Sequence, residues 1–455
     1  MAGIGFEIRK ILKENTLFSL VKAFSYAGVI SSGPWIISMI SILIVGFFAN
    51  YYFPNEKISV TFTIIITYII AFSLIITGFF QLSFTRYVSD LLFKNEKEKV
   101  LPNTIGVLII TMIGGSLLIS PMALSIYFET NNVIIPIFFE ANFAVVSALW
   151  IVNVVLTGLK DYKYIVYSFL VSYTTIVVLV NFVGKNGLEY FLFSFFAGQS
   201  LLLILLMRMV LKEFKSNKLV SFEFLKHLDK KLIWIGFFYN LALWTDKLVF
   251  WYNPSTSSHV VGWLRYSPIY DFPIFLAYLS IAPAMAIFLL RIESEFAIYY
   301  DKYFSAAREG GTLKELYLYA NDMIESARRG LEEILRIQIL TGLFLALFIE
   351  QILTSLKIPI VYVPLFIVDL IGTTLQALFM SILTILFYMD KRKEVLILVI
   401  LAFVLNLSLS ITSQILGVYF YGYGASSAYL IVSIIGLFVI DKTFQRVHYE
   451  TFMLV

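Results

Sequence analysis

The run "LIWIGFFYNLALWTDKLVFWY" is apolar and aromatic except for Asn240, a threonine, and the adjacent pair Asp246 and Lys247. A charge carried into the middle of a lipid-spanning helix costs roughly 2.5 to 3.5 kcal/mol on insertion scales, so such groups turn toward a bundle interior and pair. The next apolar run opens with "RYSPIYDFPIF", which adds Arg265 and Asp271 near its start. Asp246, Lys247, Arg265 and Asp271 are therefore candidates to line the outer part of a polar cavity, with Asn240 in the same run. Asp369, within "FIVDLIGTT", is the deepest isolated carboxylate, suited to bind a coupling ion or to hydrogen-bond a neighbouring helix. The competing reading is that Lys247 and Arg265 snorkel to the interface while the carboxylates neutralise them. Asn153, Gln199 and Asn406 read as interhelical hydrogen bonds. Glu140 and Glu350 read as solvated helix ends.

Other chemistry is missing. The histidines, His227, His259 and His448, fall in loops or the tail, and there is no cysteine. No GxxxxGK[ST] phosphate loop and no His/Glu pair at metal-ligand spacing occurs in a span. Neither a catalytic site, a metal nor a cofactor is expected, and a transporter fits better than an enzyme.

The elements that must position these residues follow from composition. Hydrophobic residues are 60% of the 455 and charged residues 14%, which marks an all-α polytopic membrane protein. About 20 apolar residues cross a hydrocarbon core. Twelve stretches meet or approach that length, near 22–50, 58–84, 102–127, 133–158, 164–183, 187–210, 232–252, 266–290, 337–355, 358–388, 395–416 and 425–440. With the N-terminus inside, 29 of the 34 basic residues fall in cytoplasmic segments and only Lys57, Lys185, Arg265 and Lys357 in outer loops. Positive charge is retained inside, so both termini are expected in the cytoplasm. The net charge of +4 is distributed by topology and implies no nucleic-acid partner. The start "MAGIGFEIRKILKENTLFSLVKAF" lacks a cleavable signal pattern, and Ala2 stands where myristoylation needs glycine.

The basic loop at 211–231 divides the spans six and six. Span seven begins about 210 residues after span one, and span eight about 208 after span two. Two parallel six-helix bundles are expected, at 1–210 and 232–455, about a central cavity. Span one carries "AGVISSGPW", where Gly28, Ser31, Ser32, Gly33 and Pro34 predict a break beside that cavity or a packing kink. The segment 292–336, with Gly310-Gly311 inside it, reads as two cytoplasmic amphipathic helices that dock a partner, lie on headgroups, or extend spans eight and nine.

The opening "MAGIGFEIRKIL" and the following "AFSYAGVISSGPWIISMI", with the length and hydropathy, resemble the PelG family, transport components of the Pel exopolysaccharide machinery. The resemblance implies a fold of the multidrug/oligosaccharidyl-lipid/polysaccharide flippase superfamily. It implies export of an N-acetylgalactosamine-rich polymer across the bacterial cytoplasmic (inner) membrane. It also implies a cytoplasmic glycosyltransferase and membrane partners that include a cyclic-di-GMP receptor. Few intramembrane charges of mixed sign suit a neutral sugar chain better than a pyrophosphate-linked one. Trp35, Trp150, Trp244, Trp251 and Trp263 are candidates to stack on sugars, with interfacial aromatic belts as the alternative. The rivals are a multidrug/ion antiporter using Asp369 or Asp271, and a non-transporting scaffold in which 292–336 is the essential part.

Overall fold

A computed structural model describes residues 16–54, 57–156, 162–355 and 359–453. Outside it lie the N-terminal signature with its basic residues, Lys160 and Lys357. The side chains of Ser31 and Trp35 are also outside it.

Apolar sequence of this length leaves the backbone no solvent partner in lipid, so it satisfies itself as helix. The helices are α1 (Leu17–Tyr52), α2 (Ile58–Phe93), α3 (Val100–Ile109), α4 (Gly115–Thr130), α5 (Ile134–Leu156), α6 (Tyr162–Val183), α7 (Leu188–Glu213) and α8 (Lys230–Tyr252). A hairpin of β1 (Ser258–Val261) and β2 (Leu264–Tyr266) follows. The chain continues as α9 (Asp271–Leu279), α10 (Ala282–Leu290), α11 (Ala297–Glu309), α12 (Leu313–Ser355), α13 (Val363–Tyr388), α14 (Arg392–Leu416), α15 (Tyr423–Gln445) and α16 (Val447–Met453). Among the described residues, eleven stretches are long and apolar enough to cross a membrane, and the chain is a multi-pass membrane protein. The expected seventh span, α8, is helical but is not one of the eleven. Lys230, Lys231, Asn240, Asp246 and Lys247 lower its hydropathy, and the last three are buried among protein partners.

Two compact units emerge. One comprises 33–244 and 250–267, the other 1–32, 245–249 and 268–455. In the first, α5 is the central helix and packs on α2, α4 and α7. Phe62 sits between Phe191 and Phe195, with ring centroids 5.8 and 6.3 Å away. The Trp150 Nε1–H donates to Ser73 Oγ at 3.0 Å, and Asn142 Nδ2 donates to the Leu192 carbonyl at 3.2 Å. In the second, α13 packs on α9, α12 and α15. Ala277, Ile349, Leu353, Phe366 and Leu370 form one of its apolar clusters.

Two expectations can be compared with the helices observed. α1 runs unbroken through "SSGPW" with Pro34 inside it, so no interruption of the helix separates its halves. A proline forfeits one helical hydrogen bond, which the rest of a 36-residue helix tolerates. The division between the compact units does fall there, between Ser32 and Gly33. On one side Ser32 Oγ donates to the Ala282 carbonyl at 3.3 Å. The segment 292–336 extends the neighbouring spans. A π-helical turn, Arg291–Phe296, joins α10 to α11, and α12 continues as one helix of 43 residues, about 64 Å at 1.5 Å per residue. Gly310, with φ of 81°, supplies the left-handed turn between α11 and α12.

The close crossing of α2 and α8 depends on glycine. A Cβ on Gly236 would lie 2.2 Å from the Gly78 carbonyl oxygen, and one on Gly78 would lie 2.8 Å from the Gly236 oxygen. One turn along, Asn240 Nδ2 donates to the Leu74 carbonyl at 3.0 Å. Gly236→Ala is expected to destabilise the unit by about 1–3 kcal/mol through overpacking, and by more than Gly78→Ala. Melting of the two variants in detergent checks this, and equal melting to the parent would show that the helices separate freely.

Candidate functional site

The site forms where α8 presents consecutive charged residues to α9, α13 and α14. Thr245–Val249 of α8 belongs to the same compact unit as those three helices. Asp246 is 2% exposed and Lys247 6%. The Lys247 ammonium donates to both Asp246 carboxylate oxygens at 3.1 Å and to Tyr278 Oη at 2.9 Å. It also lies 4.8 Å from the Tyr278 ring centroid, in cation–π range. Asp246 accepts a 2.6 Å bond from the Tyr270 hydroxyl and a long 3.5 Å contact from Asn406 Nδ2. Asn406 in turn accepts from Ser410 Oγ at 2.9 Å, and Tyr278 donates to Gln376 Oε1 at 3.0 Å. Burying two opposite charges pays off only when their remaining lone pairs and protons find partners, and here they do.

Asp369 differs. It is 2% exposed, and its Oδ2 has no hydrogen-bond partner. It lines one cavity with Asp246, Lys247, Tyr278, Thr373 and Gln376. About 10 Å³ of that cavity is open to the centre of a water molecule, which is room for one water or a small ion and not for a sugar ring. The residue that leads into α15 comes close to the same carboxylate. Gly422, with φ of 82°, leaves a space where a Cβ would come within 3.0 Å of Asp369 Oδ1.

Of the six polar candidates read from sequence, the structure brings three together: Asp246, Lys247 and Asp369. Asn240 lies in the other compact unit, spent on the α2 carbonyl described above. Arg265 sits in the hairpin with its Nε donating to Ser257 Oγ at 3.0 Å, and its backbone N–H and carbonyl both meet Tyr68 Oη, at 3.1 and 2.9 Å. Asp271 occupies the first turn of α9 and is not among the cavity residues. Asp246 and Lys247 thus share their cavity with Asp369, and neither Arg265 nor Asp271 is among its lining residues. Sequence reasoning missed Tyr270, Tyr278, Thr373 and Gln376. The spacing on α13 was informative: 369, 373 and 376 share a helical face.

Glu140 is partly buried, and Glu350 is exposed. Of the tryptophan candidates with described side chains, Trp251 is buried and stacks on Tyr68 at 4.7 Å, Trp244 packs 6.0 Å from Trp251, and Trp150 bonds Ser73. Trp263 is the exposed one of these, at 57%.

Comparison with solved structures places the fold. The chain is similar to an outward-facing multidrug resistance MATE family transporter of the MOP superfamily, with a TM-score of 0.61 at 14% identity, covering 94% of this chain and 97% of that one. It is similar to a point mutant of the Vibrio cholerae MATE transporter VcmN, with a TM-score of 0.65 at 10% identity over 98% of both chains. An inward-facing MATE family transporter of the MOP superfamily gives 0.59 at 12% identity, over 92% of this chain and 95% of that one. These likenesses show a MATE-like transporter fold. No curated protein matches the chain. Residues 1–452 match the family PelG, described as "Putative exopolysaccharide Exporter (EPS-E)". The match takes in nearly the whole chain, and the protein belongs to the PelG family of membrane exporters.

Proposed function

We propose that the protein exports a Pel-type, N-acetylgalactosamine-rich exopolysaccharide across the bacterial cytoplasmic membrane, with both termini inside. The observation that carries this reading is the family match over residues 1–452 on a chain of transporter fold. The polymer would be handed over by a cytoplasmic glycosyltransferase, with membrane partners that include a cyclic-di-GMP receptor. Transport would follow from alternating access of two helical bundles about a central path. The water-sized cavity at Asp369 is too small for the polymer. It fits a role in energy coupling, where a proton or small cation is taken up at the carboxylate oxygen that has no partner.

The test uses inverted membrane vesicles with the cognate glycosyltransferase and a radiolabelled sugar nucleotide, with and without this protein. New polymer is expected to become shielded from added glycosidase only when the protein is present. Polymer that stays fully digestible in an assembled complex would remove sugar translocation. The lone carboxylate also favours a second reading, a multidrug/ion antiporter of the same fold. Drug sensitivity on deletion, with polymer export intact, would select it.

A further inference from the structure

The hairpin between α8 and α9 is the one sheet among the described residues. Its strands pair Ser258 with Tyr266, His259 with Arg265 and Val261 with Leu264, which leaves Gly262 and Trp263 as the turn. That turn is held from several directions. The Gly262 N–H donates to Glu129 Oε2 at 2.7 Å, and the Trp263 N–H donates to Ser125 Oγ at 3.0 Å, both at the end of α4. Tyr68 of α2 grips the backbone of Arg265, and Tyr252 Oη donates to the Trp263 carbonyl at 3.4 Å. Gly262 has φ of 56°, and a Cβ there would lie 2.5 Å from Ser125 Oγ, so the turn seats against α4 only as glycine. The backbone of Trp263 is fixed while its indole stands in the open.

The surroundings are polar. His259 Nε2 lies 3.2 Å from Glu129 Oε2 and 3.0 Å from the Gly262 carbonyl, with both side chains nearly half exposed. Such a pair stays in water, so the ring beside it is not in the hydrocarbon. Tyr252, 47% exposed, adds a second aromatic side chain next to the turn. An open indole on a turn whose backbone meets a carboxylate, an imidazole and a phenol matches what a sugar offers. The C–H face of the ring meets the π-face, and the hydroxyl and acetamido groups find hydrogen-bond partners at its edge. Fixing the turn beforehand reduces the ordering cost of such a contact.

We propose that the Gly262–Trp263 turn is a carbohydrate-contact site, where Trp263 stacks on a sugar of the exported chain while Glu129 and His259 hold its polar edge. This rests on the exopolysaccharide reading above, and in that topology the turn lies on the outer side. The test is titration of the full-length protein in nanodiscs with an N-acetylgalactosamine tetrasaccharide, beside polymer shielding in vesicles. Trp263→Ala is expected to weaken binding roughly fivefold, the size of one aromatic contact, with Trp263→Phe retaining most of it. Both variants should melt with the parent because the side chain is exposed. Export by a parent that binds no tetrasaccharide, or tetrasaccharide binding that Trp263→Ala leaves unchanged, overturns the site and leaves the exporter standing. A parent that neither exports polymer nor binds the tetrasaccharide overturns the exporter reading and this site with it.

Discussion

Lys247→Met is expected to destabilise the protein by about 3–5 kcal/mol, the cost of leaving a buried charge without its partner. The substitution keeps a long unbranched side chain, so little cavity opens. It removes the donor that meets both oxygens of Asp246 and the hydroxyl of Tyr278. Asp246 would keep the Tyr270 hydroxyl and the long Asn406 contact and nothing of opposite charge. Asp246→Asn should cost a similar amount for the converse reason. The double variant Asp246→Asn with Lys247→Met should recover most of the loss, because neither charge is then stranded. Melting of the three variants in detergent gives the coupling energy of the pair, and polymer shielding in vesicles reads transport on the same proteins. Recovery of stability without recovery of export would assign the pair a part in transport beyond holding α8 to its neighbours. If Lys247→Met melts and exports like the parent, the pair is dispensable.

Asp369→Asn is expected to do the opposite, reducing export at least about tenfold while leaving stability equal or higher. The Lys247 ammonium already donates to Asp246 and Tyr278, and Asp369 Oδ2 is the carboxylate oxygen of the cluster without a hydrogen-bond partner. Asparagine keeps the shape and removes the charge, and with it the capacity to take up a proton or cation. Tenfold in rate corresponds to about 1.4 kcal/mol in the barrier, a modest demand on a group that couples energy to transport. Vesicle shielding measured alongside melting separates the outcomes. Loss of export with unchanged melting supports a coupling role. A fall in both would show that Asp369 serves chiefly to balance Lys247, and full export would exclude it from coupling.

Much of the molecule was legible from residue order. Long apolar stretches with basic loops between them dictate helices that cross a membrane, because lipid offers no alternative partner for the backbone. Charges as deep as Asp246, Lys247 and Asp369 must likewise turn away from lipid, whatever the fold. The sequence could not say which charges meet. Arg265 lies only 18 positions after Lys247, yet the hairpin bonds it to Ser257 and Tyr68. Asp369 lies more than a hundred positions away and shares a cavity with Lys247, because α13 packs on α9 within the unit that holds Asp246 and Lys247. At "SSGPW" glycine and proline lower local helix propensity, yet α1 continues through it, because a membrane helix of this length retains enough of its hydrogen bonds to run through. Local composition and charge determined that the chain crosses a membrane many times as helices and which residues had to turn away from lipid. Packing between segments remote in the chain decided the partners of each hidden charge, since a helix fixes only the face on which a side chain lies and tertiary structure fixes what that face meets.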